Sequence, residues 1–584
     1  MFPKIITIIV AATMLWGGCV KAAPVPDAGS ILQQQQQQQA AQVEELMKPE
    51  TQQAQVEELL KPDEASQQTL PADLAVRVFV KGFKFVGFEG MATDGELQPL
   101  VSGSVEKNLT FGELDEIAGN ITAYLKSKGW LLASVYLPTQ DATSGIIEVH
   151  INQGKSDGNL SIIRDNSVRI CNKVLRRIAV KSYRKGYPLN ERRLERSVLL
   201  MNDLPGISAQ ATLAPGNISG SSELKYFVKE GPLLSGVAWG DNHGNRYTGS
   251  IVGGANLLIN DPFRRGEQFS LMLNRSEGLF QGGISYTSPF CPNPGLSGTL
   301  KFTGMHYKLL EEFSDLGYEG NSYNFGAGLS YKVIRSRKMN LTTEAEYGYK
   351  NLTDKAFDIN LRDRSINSMT LTVKGDYQDV LLLGGYTSWS AGLTFGNLHE
   401  SLKKDLRLIN ANAEGGYTRI NLRVSRLQRF YDRLSMDLSL TSQTAFKNLD
   451  SSEKFFLGGP NSVRAYPLGE GSGDEGRLIK ADLLYKIPTP AKWGELKAGV
   501  FFDAGHITLN KERYSGDVYT ATNRNGYWLQ GAGVEVRYDI SKKFVVQGSW
   551  AQVIGENPGR SVIGNNSDGR NDKSRVWLQG MMFF

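Results

Sequence analysis

Cysteine and histidine, the residues that most often hold metals or act as nucleophiles and bases, are scarce in this chain. There are three cysteines and five histidines among 584 residues. Cys19 lies close to the N-terminus, so Cys171 and Cys291 are too few for a disulfide framework, and no CxxC pair is present for zinc. The sequence also has no HExxH, no GxSxG and no P-loop motif. We therefore predict no catalytic residues, no metal site and no cofactor, and we do not expect an enzyme.

Charge of one sign is not in excess either. Lysine and arginine total 65 and aspartate and glutamate total 60, which gives a net charge of +5. Nucleic-acid binding needs a concentrated basic face, so this balance predicts no nucleic-acid partner. What is abundant is glycine, with 63 residues, together with 23 tyrosines and 25 phenylalanines. Aromatic residues and glycines in these numbers favour β-structure with many turns.

Long apolar runs are missing except at the N-terminus. Residues 5–16 form an apolar segment, and small residues at 20–22 suit cleavage by a signal peptidase. We therefore predict a signal peptide over residues 1–22 and export from the cytoplasm. A lipoprotein anchor at Cys19 is the weaker alternative, since Trp16 stands where leucine is usually required. The remainder has no run of about 18 apolar residues, so no transmembrane helix is expected.

Residues 23–75 are low in complexity. Seven consecutive glutamines occupy 33–39, and AQVEELMKP at 41–49 recurs as AQVEELLKP at 54–62. Each copy forms helix readily and is stopped by its proline. Two interpretations stay open here: a mobile linker, or a helix from Ser30 to Lys48 that docks elsewhere as a plug.

Two small α+β modules are predicted next, over residues 76–154 and 155–231. In the first, VRVFVKGFKFVGF alternates like one strand, LTFGELDEIAGNITAYLKSKG has helical spacing, and LLASVYLP and GIIEVHINQG indicate two further strands. The second module repeats this order of strand, helices, strand and strand. Two copies of about 75 residues, each with its own core, indicate tandem modules.

From residue 232 to residue 584, apolar and polar residues alternate with a period of two. In GVEVRY, for example, Val534 and Val536 flank Glu535. Strands of about ten residues with this alternation are typical of transmembrane β-barrels, whereas a soluble β-sandwich, the alternative, usually has strands of about five or six. We predict 16 antiparallel strands centred near residues 237, 253, 271, 283, 301, 327, 344, 373, 391, 417, 439, 481, 500, 533, 548 and 579. The chain ends in VWLQGMMFF, so Phe584 is expected to close the last strand.

One arginine lies in a glycine-rich stretch, NSVRAYPLGEGSGDEG at 461–476, between two predicted strands. Short turns and longer connections alternate along the barrel, and this is one of the longest. In ELKAGVFFDAG, Asp503 shares the lumen-facing phase with Phe501 and Gly505. A charge in a narrow lumen requires a partner, because an unpaired buried charge is costly. If the loop folds back into the barrel, Arg464 can reach Asp503.

FFLGGPNSVRAY and FFDAG resemble two linked motifs of the two-partner-secretion transporters, or TpsB proteins, which are relatives of the barrel-assembly protein BamA. SGDEG after the first motif is similar to TpsB sequences, as is the helical stretch of the first module. The resemblance covers about residues 76–584. It implies two POTRA domains, a 16-stranded transmembrane barrel with one loop folded inside it, and an N-terminal helix or linker.

The resemblance also implies a set of site residues, with Arg464 paired to Asp503. The matching residues are Val463, Arg464, Ala465 and Tyr466 in the loop, and Phe501, Asp503 and Gly505 in the partner strand. The family has glycine where this chain has Ala465. If that position needs a positive φ, alanine costs on the order of 1 kcal/mol.

From the resemblance we expect an outer-membrane pore of a Gram-negative bacterium, with both POTRA domains in the periplasm. They capture an unfolded exoprotein, a TpsA-like β-helical adhesin or haemolysin, at an exposed sheet edge, LLASVY or SAQATL, and the barrel translocates it to the cell surface. Further expected partners are outer-membrane lipids and, during biogenesis, the barrel assembly machinery. An assembly factor of the BamA kind is the alternative function. A plain solute porin leaves the two periplasmic modules unexplained.

Overall fold

The computed structural model describes residues 25–47, 77–130, 132–181, 183, 185–215, 221–290, 293–403, 411–514, 517, 520–541 and 543–584. The expected signal peptide, Cys19, Cys291 and the second copy of the repeat lie outside the described residues. Cys171 is a free and exposed thiol. Helix α1, Ala28–Met47, precedes the modules, close to the predicted span of Ser30 to Lys48. Within these ranges no helix combines the length and the apolar character needed to cross a membrane.

The first module consists of two small sheets and two helices. Its elements are β1 Arg77–Val80, β2 Gly82–Val86, α2 Asp94–Val101, β3 Lys107–Thr110, α3 Phe111–Ser127, β4 Ser134–Tyr136 and β5 Ile146–Asn152. Strand β5 lies between β2, to which it is parallel, and β4, to which it is antiparallel, while β1 pairs with β3. Helix α3 begins at a capping box between Thr110 and Glu113 and buries Ile117 and Ile121 in the core of the module.

The first module differs from its expected pattern in the number and the length of its strands. VRVFVKGFKFVGF was predicted as one strand, and it forms two, β1 and β2, which join different sheets. The amides of Lys81 and Gly82 both donate to the carbonyl of Gly145, at 2.7 and 3.3 Å, and this turns the chain between the two strands. Strand β4 is also shorter than LLASVYLP suggested.

The second module has the order of one strand, two helices and two strands. Its elements are β6 Lys155–Arg164, α4 Asn172–Val180, α5 Glu191–Asn202, β7 Ile207–Pro215 and β8 Ser221–Glu230. Strand β8 lies in the centre of the sheet, parallel to β6 and antiparallel to β7. Leu175 of α4, Leu194 of α5 and Tyr226 of β8 share one buried core. Each module therefore has a core of its own.

Sixteen antiparallel strands form a closed barrel in which the last strand pairs with the first. The strands of the barrel and of one inserted hairpin (β20 and β21) are, in chain order, β9 Leu234–Asp241, β10 Val252–Asn260, β11 Gln268–Arg275, β12 Leu279–Pro289, β13 Leu296–Lys308, β14 Glu319–Arg335, β15 Met339–Ala356, β16 Ile359–Asp379, β17 Gly385–Glu400, β18 Gly415–Tyr431, β19 Leu434–Ala445, β20 Phe455–Leu457, β21 Gly471–Gly473, β22 Glu475–Ile487, β23 Glu495–Thr508, β24 Gly526–Ser541, β25 Phe544–Ile554 and β26 Ser574–Phe583. Each of the 16 predicted centres lies within one barrel strand, so the predicted barrel is confirmed.

Most apolar side chains of the barrel strands point outward, and most polar side chains point into the lumen. Val534 and Val536 are each 47% exposed on the outer surface, whereas Glu535 between them bonds to a residue inside the barrel. A closed sheet has no unpaired edge, so the backbone hydrogen bonds of every strand are satisfied without water. Together with the apolar exterior, this is what a lipid environment requires.

The second module is bound to one end of the barrel, called the module end here. Asp203, which follows α5, accepts a hydrogen bond from Arg335 at 2.9 Å and forms an ion pair with Lys332 at 2.6 Å. Arg169 donates to the carbonyl of Asn260, at the end of β10, at 3.2 Å. The opposite end, called the far end, carries the longer connections between strands.

Candidate functional site

The connection between β19 and β22, residues 446–474, folds back into the barrel and is called the inner loop here. Its two short strands, β20 and β21, pair with each other. Val463 and Tyr466 of the inner loop are fully buried and lie in one apolar cluster with Phe501 and Leu529 of the barrel wall. The inner loop and the wall therefore share one buried apolar core.

Arg464 lies in the inner loop with only 4% of its surface exposed. Its Nε and Nη2 atoms donate to the two oxygens of Asp503 on β23, at 2.8 and 2.7 Å, and its backbone amide donates to the same carboxylate at 3.0 Å. Nη1 donates to Glu535 on β24 at 3.0 Å, and Nη2 is ion-paired with Asp482 on β22. The guanidinium carbon lies 3.4 Å from the centre of the Phe501 ring. One loop cation thus joins three neighbouring strands of the wall.

Small residues allow the inner loop to approach the wall. A Cβ on Gly505 would lie 2.6 Å from the side chain of Leu457 and 3.1 Å from that of Val463. A Cβ on Gly531 would lie 2.5 Å from the Cβ of Ala465, so the wall glycine provides the space that the alanine fills. Ala465 does not adopt a positive φ, and the strain considered for it does not arise.

A contact that the sequence did not reveal connects the inner loop to the last strand. The indole Nε1 of Trp577 on β26 donates to the carbonyl of Arg464 at 2.8 Å, and both residues are buried. Trp577 stands between Val576 and Leu578, which are exposed on the outer surface. A large aromatic residue in the lumen-facing phase was the signal that could have identified this contact.

Helix α1 lies in the lumen, and the residue before its first turn binds the wall by charge. Asp27 caps the helix by accepting from the Ser30 amide at 2.8 Å. Its carboxylate also accepts from Arg362 and from the Ser451 hydroxyl, both at 2.8 Å, and Arg364 Nη2 lies 3.3 Å away. We call Asp27 and the wall and loop groups around it the helix seat.

Arg364 is the centre of the helix seat and is 1% exposed. Its guanidinium donates to Asp354 on β15 at 2.8 Å and to Asp450 of the inner loop at 2.6 Å. Asp354 in turn accepts from the Ala28 amide of the helix at 2.8 Å. The seat therefore joins three parts of the chain: the helix, the wall and the inner loop.

The charges of the helix seat favour the ionised form of Asp27. Burial by itself would raise the pKa of this carboxyl group. The guanidiniums of Arg364 and Arg362 outweigh that effect and hold the pKa well below its usual range.

Apolar residues complete the helix seat. Ile31 and Leu32 are buried in one cluster with Tyr307, Leu352 and Ile366 of the barrel wall. The glutamine run by itself specifies no single register, because its seven side chains are identical. The residues just before the glutamines provide the contacts that fix the position of the first turns of α1.

The glutamines contribute individual hydrogen bonds. The side-chain amide of Gln38 donates to the carbonyl of His243 at 2.7 Å, and that of Gln37 donates to the carbonyl of Phe456 in the inner loop at 3.3 Å. The two elements that fill the lumen, α1 and the inner loop, are therefore in direct contact.

Phe584 ends the chain against the first barrel strand. Its amide and carbonyl pair with Gly236, at 3.0 and 2.9 Å, and its ring is 55% exposed on the outer surface. A Cβ on Gly236 would lie 2.6 Å from the ring, so the glycine leaves room for it.

We expect deletion of Phe584 to lower the amount of inserted barrel. The deletion removes two backbone hydrogen bonds between the last and first strands, each worth about 1 kcal/mol, and about 1 kcal/mol of apolar burial, since roughly half of Phe584 is covered. The heat-modifiable band of the folded barrel on a gel measures the effect, and Phe584→Tyr, which keeps the ring, serves as the control. An unchanged band after the deletion would contradict the prediction.

The structure brings the residues of the two sequence motifs into one site and leaves Phe584 outside it, at the closure of the barrel. In the part of the chain that the structure describes, no three or more histidine, cysteine or acidic side chains are grouped to hold a metal ion. The residues of the site are Val463, Arg464, Ala465 and Tyr466 of the inner loop, and Phe501, Asp503 and Gly505 of β23.

Known proteins share this architecture. The chain is similar to the heme/hemopexin transporter protein HuxB of Haemophilus influenzae strain 86-028NP, with 27% identity over 497 residues that cover 84% of each chain. It is also similar to the outer membrane transporter CdiB of Escherichia coli O6:K15:H31, with 20% identity over 445 residues, or 72% of this chain and 71% of CdiB. The solved structure of CdiB from Escherichia coli matches the fold with a TM-score of 0.75 at 18% identity, over 96% of this chain and all of the other.

Family profiles match the first module and most of the barrel. The POTRA domain of the ShlB type matches residues 78–154, and the family of haemolysin secretion/activation proteins matches residues 220–538. The protein is accordingly an outer-membrane transporter, the module end of the barrel is its periplasmic end and the far end is extracellular. Because the second match spans more than half of the sequence, the chain belongs to the haemolysin secretion/activation protein family ShlB/FhaC/HecB.

Proposed function

We propose that this chain secretes one unfolded exoprotein: the two periplasmic modules receive it, the barrel conducts it across the outer membrane, and α1 fills the lumen at rest. The observation that carries the proposal is a lumen occupied by a helix that is not part of the barrel wall. A helix with its side chains is about 10 Å wide, which is at least the width of an extended polypeptide. A lumen that α1 has left is therefore wide enough for an unfolded chain.

The lining of the lumen supports a polypeptide as the transported molecule. On the periplasmic side of Arg464, a cavity is lined by side chains of both charges, among them Asp437, Lys480, Lys497 and Arg537. An unfolded chain carries acidic, basic and apolar segments. A lining of mixed charge attracts no single type of segment strongly, so it suits passage rather than retention.

The sheet edges of the modules supply a means of capture. Strands β4 and β7 both lie at the edge of their sheets. The Asn202 side chain bonds to the amide and carbonyl of Ala209 at 2.6 and 3.0 Å, on the side of β7 that faces away from β8. Because backbone groups alternate along a strand, Ala211 and Leu213 direct theirs to that same side. An extended segment of the exoprotein can add to this edge as a further strand.

Leu213→Pro tests this proposal. Proline removes an outward N–H and places its ring where an incoming strand must lie, while the bonds between β7 and β8 are kept. The loss of about 1 kcal/mol together with the steric block predicts a roughly tenfold fall in secretion. The exoprotein is identified as the protein that disappears from the culture medium when the gene is deleted. Leu213→Ala keeps the N–H and is the matched control.

The same cultures distinguish secretion from barrel assembly. If the chain secretes an exoprotein, Leu213→Pro lowers that protein alone, at an unchanged amount of the folded transporter. If the chain assembles membrane proteins as BamA does, the amounts of the other outer-membrane barrels fall as well. Equal secretion by Leu213→Pro and Leu213→Ala would rule out capture at this edge.

A further inference from the structure

Four aliphatic residues stand next to one another in the turn between β16 and β17, at the periplasmic end of the barrel. Val380, Leu381, Leu382 and Leu383 are 88%, 63%, 61% and 50% exposed. A run of four exposed apolar residues is unfavourable in water. It therefore indicates a surface that is covered when the protein is in its membrane. We call residues 380–383 the apolar turn.

Polar contacts hold the apolar turn in one position. Arg426 on β18 donates to the two oxygens of Asp379 at 2.6 and 3.1 Å, and Asp379 accepts from the Leu381 amide at 3.0 Å. The side-chain amide of Gln428 donates to the carbonyls of Leu381 and Gly384, at 2.9 and 3.3 Å. The turn is thus a fixed element of the barrel surface.

The backbone conformation of the turn indicates that its apolar side chains make a contact. Leu382 has a φ of 57°, in the left-handed region that favours glycine or asparagine. A polar turn residue would be less strained there and better suited to water. The presence of leucine in spite of both disadvantages points to an apolar contact.

The turn lies on the outer side of the barrel. Arg426, which holds Asp379, stands two residues after Val424 and is in register with Leu438 on β19. Val424 and Leu438 are both 44% exposed on the outer surface of the barrel. The apolar turn therefore continues the surface that faces lipid.

We propose that the apolar turn is a lipid anchor, which inserts its four side chains among the acyl chains of the periplasmic leaflet. The exposed Arg429 lies beside the turn, where its Nη2 would be 3.3 Å from a Cβ on Gly384, and its guanidinium suits the phosphate groups of phospholipids. The side chains of the Asp379–Arg426 ion pair are 20% and 27% exposed, and their opposite charges compensate each other at this surface. The anchor sets how deeply the barrel sits in the membrane. This role does not depend on which molecule the barrel transports.

A spin label tests the position of the turn. The label is attached to Val380→Cys in a background of Cys171→Ser and Cys291→Ser, and the protein is inserted into vesicles of phosphatidylethanolamine and phosphatidylglycerol. Ile563→Cys is the matched control, because Ile563 is 72% exposed in an extracellular loop. Collisions with oxygen, which concentrates in acyl chains, are compared with collisions with a water-soluble nickel chelate.

The lipid anchor predicts that the label at position 380 meets oxygen more often than the nickel chelate, and that the label at position 563 shows the reverse. Equal access of the chelate to both positions would place the turn in water and overturn the proposal. Access of neither reagent to position 380 would mean that protein, such as a second copy of the chain, covers the turn, and would also overturn it.

Discussion

Arg464→Ala is expected to reduce secretion of the exoprotein by at least about tenfold while the barrel remains inserted. The variant leaves Asp503, Asp482 and Glu535 without the cation that joins them, and breaking a buried ion pair costs about 3–5 kcal/mol. This loss releases the inner loop from the wall. The barrel stays closed, because its 16 strands are paired through their backbones. Secreted exoprotein is measured relative to the heat-modifiable barrel band.

Two further variants separate charge from geometry at this site. Arg464→Lys keeps the charge but lacks the planar fork that contacts three carboxylates, so intermediate secretion is expected. Exchanging the charges, with Arg464→Asp and Asp503→Arg, should not restore secretion, since the carboxylate introduced at position 464 then meets Asp482 and Glu535. Wild-type secretion by Arg464→Ala, at an equal amount of folded barrel, would show that the ion pair is not needed for transport.

The sequence was sufficient to predict one partner of Arg464 but not the others. Period-two alternation shows which side chains of one strand face the lumen, and this identified Asp503. Asp482 and Glu535 depend on how β22 and β24 are aligned with β23, where they stand opposite Phe501 and Gly499. A shift of two residues between neighbouring strands keeps every side chain on its face, so alternation cannot determine that alignment.

The helix seat was missed for a related reason. Ala28 and Asp354 bond to each other although 326 residues separate them along the chain. No periodic pattern connects positions so far apart. The predicted helix also began at Ser30, so it left out Asp27 and Ala28, which bind the wall. The apolar turn was not predicted either, because aliphatic residues that directly follow a strand have the same composition as the strand itself.

Asp27→Asn is expected to open the resting pore. Without Asp27, the two carboxylates of Asp354 and Asp450 face the two guanidiniums of Arg362 and Arg364, so the empty seat remains balanced in charge and the barrel stays folded. A hydrogen bond to a charged group contributes about 1.5–3 kcal/mol, so the loss of the Asp27 carboxylate should raise the open fraction roughly tenfold or more. Conductance of single channels in planar bilayers measures this fraction.

The pH dependence of the wild-type pore provides an independent check of Asp27. Its pKa in the seat is below its usual value, so seating is favoured when the group is ionised. The stabilisation is complete above the usual aspartate pKa of about 3.9 and is lost as the pH falls through the lower pKa of the seat. The wild-type pore should therefore open more often as the pH falls below about 4. In Asp27→Asn, the part of this increase that Asp27 causes should be absent.

Gly29→Ala is expected to open the pore through a steric clash rather than through a change of charge. An added Cβ would lie 2.3 Å from the Ser451 hydroxyl and 2.8 Å from the Ser452 amide nitrogen, so α1 no longer fits its seat. Alanine favours a helix by roughly 1 kcal/mol over glycine, and the helix itself forms more readily. Gly119→Ala in the first module, where a Cβ would meet no atom within 4 Å, is the matched control and should leave conductance unchanged.

Deletion of residues 30–66 gives the conductance of the fully open pore, with which Gly29→Ala is compared. If Gly29→Ala conducts like the wild type and the deletion conducts more, the contacts of Asp27 and Gly29 do not hold the helix. If the deletion also leaves conductance unchanged in a properly inserted barrel, α1 does not block the pore. An increase in both variants, without an increase in Gly119→Ala, identifies the helix as the plug and the helix seat as the contact that retains it.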